Sequence, residues 1–105
     1  MFDYILMTDD INVKHDIKKI IEKTGMFNYK ITWKGKFPTV ILNHSTLSGK
    51  REIFINDKKC ISERHFFDCG SIYHLGSGKF EFDVEIEISN FSDVNYVLIY
   101  NKIKY

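Results

Sequence analysis

The sequence predicts an all-β fold: an antiparallel β-sandwich of about seven to eight strands, with one amphipathic helix at its N-terminal end. Three observations predict it. Residues Lys79–Ser89 alternate without a miss, Phe80, Phe82, Val84, Ile86 and Ile88 on one side and Glu81, Asp83, Glu85 and Glu87 on the other. A strand with one face on a core and one in water requires that alternation. After Gly25, short runs rich in Ile, Val, Phe and Tyr follow one another with only turn residues between them, as successive antiparallel strands do. No helical period recurs among those runs, so the crossover helices of a parallel sheet are missing.

Taken in order, the elements begin with a helix over residues 9–24. Val13, Ile17, Ile20 and Ile21 fall on one helix face. Thr8, Asp9 or Asp10 caps its start, Lys18, Lys19 and Lys23 suit its negative end, and Gly25 stops it. Strands are then expected at Phe27–Lys34, at Thr39–Thr46 and at Arg51–Asn56. In the second of these, Val40, Leu42 and His44 share a face. The Asn56-Asp57-Lys58-Lys59 stretch forms a turn, because Asn and Asp tolerate a left-handed backbone. Cys60–Phe67 resumes the sheet, Ile72–Leu75 runs into the Gly76-Ser77-Gly78 turn, and Tyr96–Lys104 closes the fold after a turn near Asn90–Asn95. Residues 1–26 therefore make an N-terminal extension, and residues 27–105 the sandwich. The 105 residues suffice for one core without disulfide or metal staples.

Charge and composition narrow the function classes. The net charge of +1 provides no basic field for nucleic acid. No run approaches the ~20 apolar residues that span a bilayer. Met1–Met7 lacks a basic start and a cleavage site. A cytoplasmic location and no membrane partner are the expectation. Two cysteines, Cys60 and Cys69, do not make a disulfide framework and are expected to be free thiols.

Few residues suggest chemistry. The acidic row of Glu81, Asp83, Glu85 and Glu87 lies on a flat strand, unlike the turning loops that bind calcium, and is read as a solvated face. His15, His44, His65 and His74 with Cys60 and Cys69 show no zinc spacing. His44 beside Ser45 lacks an orienting third group. Ser48-Gly49-Lys50 lacks the first glycine of a phosphate loop and precedes a strand. No catalytic residue, cofactor or metal is expected. Trp33 and the tyrosines leave open a small-molecule or sugar-binding module, and convergence of His and Cys side chains leaves open a metal-binding or hydrolytic protein.

The run Asn43-His44-Ser45-Thr46-Leu47-Ser48-Gly49-Lys50-Arg51, followed by a strand and Asp57-Lys58, resembles the Fas apoptotic inhibitory molecule (FAIM) family. That family carries a His-Gly-Thr-Thr-Ser-Gly-Lys-Arg segment, a strand and an Asp-Gly-Lys turn in its first domain. Glu63–Phe67, Tyr73–Gly76, Tyr96–Tyr105 and Tyr29–Gly35 extend the likeness over residues 27–105. Ser45, His65 and Lys58 depart from the family's Gly, Trp and turn Gly. The family's second β domain has no counterpart here. The resemblance implies a eukaryotic, cytosolic, non-enzymatic β-sandwich acting through protein partners, in apoptosis regulation or in protection against protein aggregation. Binding is expected through sheet edges or through a candidate interaction loop, Ser48, Gly49, Lys50 and Arg51, with Gly49 making the tight turn and Lys50 and Arg51 projecting charge. A chain with one such domain is also a candidate homodimer.

Overall fold

The computed structural model describes residues 16–90 and 93–105. Nine strands follow one another: β1 (Ile17–Lys23), β2 (Asn28–Gly35), β3 (Phe37–Ser45), β4 (Lys50–Ile55), β5 (Lys58–Arg64), β6 (Gly70–Ser77), β7 (Phe80–Asn90), β8 (Asp93–Tyr100) and β9 (Ile103–Lys104). They form two antiparallel sheets in plain sequence order, β1-β2-β3-β4-β5 and β6-β7-β8-β9. The chain therefore runs up and down within each sheet and changes sheet once, between β5 and β6.

The alternating stretch is strand β7. Phe82, Val84 and Ile86 are buried, while Glu81 is exposed and Asp83, Glu85 and Glu87 are half-buried on the other face. Facing them from the first sheet are Ile31, Trp33, Val40, Leu42, Ile53 and Ile55, all buried. Trp33 lies at the centre with no exposed surface, and its indole N–H donates to the Tyr105 carbonyl across the sandwich at 3.3 Å. Phe37 packs edge-on against Phe80, Phe82 and Tyr100 at ring distances of 5.0–5.3 Å.

Two expectations are corrected. Ile17–Lys23 is strand, not helix: every residue of β1 pairs with one of Tyr29–Gly35 in β2. Ile17, Ile20 and Ile21 recur at helical spacing with no period of two, but pairing with β2 decides, and β-branched residues favour the pleated surface. The remainder of the expected helix lies outside the described residues. Among the described residues the strands number nine rather than seven to eight, because Ile17–Lys23 adds one and a turn breaks Tyr96–Lys104 into two. Asn101 and Lys102 sit at φ 50° and 64°, and Asn56 and Asp57 at 49° and 68°. Two consecutive left-handed residues make the hairpin turn whose twist matches that of the flanking strands.

This meander sorts the loops to two ends. At one end lie the Gly35-Lys36, Asn56-Asp57, Gly78-Lys79 and Asn101-Lys102 connections, all small or polar. At the other lie 24–27, 46–49 and 65–69, and here Met26, Phe27, Leu47, Phe66 and Phe67 are exposed. Among the described residues, no helix is long and apolar enough to cross a membrane.

Candidate functional site

The features that could carry function gather at the apolar-tipped end and along one strand edge. Beneath the tips lies a buried polar cluster. His44 and Arg51 are register partners on β3 and β4, and both point inward because Val40 and Leu42, and Ile53 and Ile55, share their faces. Arg51 is fully buried. A buried guanidinium is stable only when paired and hydrogen-bonded, and here every arm is engaged. Nε donates to the Gly49 carbonyl at 3.0 Å. Nη1 donates to Ser71 Oγ at 2.7 Å and toward the Tyr73 hydroxyl at 3.4 Å. Nη2 forms an ion pair with Asp68 Oδ2.

Asp68 comes from the β5–β6 connection. Its Oδ2 also accepts from His44 Nε2 at 2.8 Å, and its Oδ1 accepts the Gly70 amide at 3.0 Å. On the other side of the imidazole, Nδ1 lies 2.8 Å from the Tyr96 hydroxyl. These contacts are satisfied together when neutral His44 donates from Nε2 and accepts the phenol proton at Nδ1. Burial holds the His44 pKa below its ordinary value, and Arg51 adds to this against the pull of Asp68. Burial alone would raise Asp68, but hydrogen bonds from Arg51, His44 and Gly70 hold it below the usual carboxylate range. Burial pushes the Tyr96 phenol up. The order Asp68–His44–Tyr96 has the hydrogen-bond logic of a triad. Its terminal hydroxyl, however, is buried and hard to ionise, so the cluster presents no nucleophile to solvent.

The cluster braces the tips. Gly49, at φ +72°, brings its backbone so close to the β5–β6 connection that an added Cβ would stand 1.7 Å from the His65 carbonyl oxygen. Only glycine fits there. The His65 amide donates to the Gly49 carbonyl at 3.1 Å, and the Thr46 amide donates to the Phe27 carbonyl at 2.8 Å. The three loops are thus stitched into one platform. Between Leu47, Phe67, Ile88 and Val94 an open cleft of about 390 Å³ descends to His44 and Asp68.

The four expected loop residues separate. Ser48 Oγ accepts the Lys50 amide at 3.3 Å and shapes the turn. Gly49 makes the tight approach. Lys50 points outward, with its side chain 51% exposed and Glu52 at 3.9 Å. Arg51 does not project charge: it is sealed between the sheets, because an odd–even strand sends neighbouring residues to opposite faces. His44, Asp68 and Tyr96 were not expected as partners. The shared face of Val40, Leu42 and His44 was the available signal; Asp68, on an irregular segment, gave none.

The second feature is β6. It is hydrogen-bonded to β7 over eight register pairs without a bulge, and its other edge has no strand beside it among the described residues. The remaining edge strands carry guards: Lys18, Lys19, Glu22 and Lys23 on β1, Lys58, Lys59, Glu63 and Arg64 on β5, and Lys104 on β9. β6, Gly-Ser-Ile-Tyr-His-Leu-Gly-Ser, has no Lys, Arg, Asp, Glu or Pro, and Ile72 is 48% exposed.

Trp33, a candidate ligand platform, is buried. Cys60 and Cys69 are free and exposed. His74 pairs with Asp83 at 2.6 Å on the outer face. Among the described residues, no three His, Cys, Asp or Glu side chains converge as metal ligands. Comparison with protein-family models, curated proteins and solved structures gives no match.

Proposed function

We propose that this chain is a non-enzymatic, cytoplasmic interaction protein of the FAIM-like type, which binds extended segments of other proteins by strand addition at β6. The observation that carries the reading is the unguarded edge. A free strand edge offers a row of unpaired N–H and C=O groups, and proteins normally blunt such edges with charge, proline or bulges. β6 has none of these. Strand addition would also serve the aggregation-protective role that the family resemblance implies, since aggregating chains expose unpaired strands. The same edge would support a homodimer, for which light scattering at high concentration is the test.

The experiment is suppression of aggregation of a heated client protein, followed by light scattering. Wild type delays the rise in scattering. Ile72→Lys places a guard charge on the edge at a half-exposed position and abolishes the delay. No delay with wild type, or an equal delay with Ile72→Lys, overturns the reading.

A further inference from the structure

We infer that the apolar-tipped end of the sandwich docks on an anionic lipid bilayer surface. The tips themselves are the first observation. Met26, Leu47, Phe66 and Phe67 are 71–94% exposed, on three connections that are distant in sequence and adjacent in space. Large apolar side chains exposed together at one place mark a contact surface. These are stitched through Thr46–Phe27 and His65–Gly49 and braced by Arg51 and Asp68, so they stand as fixed projections.

Charge selects the occupant. Residues 24–27, 46–49 and 65–67 contain no Lys, Arg, Asp or Glu. Asp68, next after Phe67, is turned inward onto Arg51 with 9% of its side chain exposed, and the first outward charged side chains behind the tips are at the strand ends: Lys23 closes β1, Lys50 opens β4 and Arg64 closes β5. Asp93, opening β8, is the one carboxylate at a described strand end here, and it accepts from Ser89 Oγ at 3.0 Å. Glu22 and Glu63 stand one residue further from the tips than Lys23 and Arg64, and Glu52 two residues beyond Lys50, at 3.9 Å from its ammonium. Apolar points backed by a cationic collar match the acyl boundary and phosphate layer of an anionic membrane. Separate projections require no concave counterpart in such a medium, whereas a folded partner would need one. The opposite end, with its Gly, Asn, Asp and Lys turns, faces water. The absence of a spanning run does not bear on this mode, because the fold, not the sequence, assembles the tips.

Flotation of the full chain with vesicles tests the inference. Vesicles of phosphatidylcholine mixed with phosphatidylserine are expected to carry the protein up, and vesicles of phosphatidylcholine alone to carry less. The bound fraction falls about tenfold or more for Phe66→Ser/Phe67→Ser. It falls for Lys50→Glu/Arg64→Glu on the mixed vesicles, and it falls with added salt. Phe66→Trp, read against a native Trp33 that is already buried, gives a blue shift in emission on adding mixed vesicles. Absence of flotation, flotation unaffected by Phe66→Ser/Phe67→Ser in a variant whose circular dichroism matches wild type, or an unshifted Phe66→Trp spectrum overturns the inference. If vesicles leave wild type behind while Phe66→Ser/Phe67→Ser ends suppression of client aggregation, the tips are a protein contact and the lipid reading fails. Ile72→Lys is expected to float as wild type does, which separates this surface from the β6 edge.

Discussion

Asp68→Asn tests the buried cluster, because it removes one charge and almost no volume. In the native protein the Asp68 carboxylate neutralises Arg51, whose side chain has no exposed surface, and accepts from His44. In the Asp68→Asn variant the guanidinium keeps its bonds to Gly49 and Ser71 but loses its counter-charge. Breaking a buried ion pair from one side costs about 3–5 kcal/mol. Asp68 retains 9% exposure, so water at its edge places the expected loss near the lower end, about 3 kcal/mol. In a domain of this size about 3 kcal/mol corresponds to a fall in Tm of roughly 12–24 °C. Thermal and urea unfolding followed by circular dichroism measure it. Asp83→Asn removes the exposed pair with His74 and is expected to cost under about 1 kcal/mol. Arg51→Met/Asp68→Leu, which replaces both charges with apolar groups, is expected to recover most of the loss. A cost below about 1 kcal/mol for Asp68→Asn would refute the view that Asp68 balances Arg51.

Further outcomes follow from the same geometry. His44 and Asp68 both have folded pKa values below their ordinary ones, so the unfolded chain binds protons first. Their stabilisation is complete above the unfolded values, 6.5 and 3.8, and is lost as pH falls through the folded ones. Urea midpoints are expected to fall below pH 6.5, and His44→Gln should flatten that first part of the fall; an unchanged slope would contradict the assignment. Gly49→Ala forces a Cβ against the His65 carbonyl at positive φ and is expected to cost at least about 2 kcal/mol, read as a lower urea midpoint. Asp57→Gly, at φ 68°, relieves left-handed strain in the β4–β5 turn and is expected to stabilise by about 0.5–1 kcal/mol, read as a higher one.

Much of the fold was legible because its signals are local. The alternation from Phe80 to Ile88 fixes a strand, its face and its register, since a slip would bury carboxylates. Asn56-Asp57 names its own turn. Residues 17–23 misled because Ile17, Ile20 and Ile21 recur at helical spacing and not at period two, and only the long-range pairing with β2, which no local window contains, makes them a strand. The site was less legible. The alternation that places Ile53 and Ile55 inward places Arg51 inward too, yet an arginine beside a loop is ordinarily solvated. Its burial depends on Asp68, seventeen residues on, arriving across the sheet change. The apolar tips are single residues or pairs on separate turns, so no window of sequence contains them, and β6 became an edge only through the order of strands.

Whether partners add on the β6 edge is read most directly by amide hydrogen exchange, on the protein alone and in complex with a heated client. New protection is expected at alternate amides of Gly70–Ser77, those facing away from β7, with β5 and β1 unchanged. Protection confined to other strands, with the β6 amides exchanging as in the free protein, would contradict strand addition at this edge.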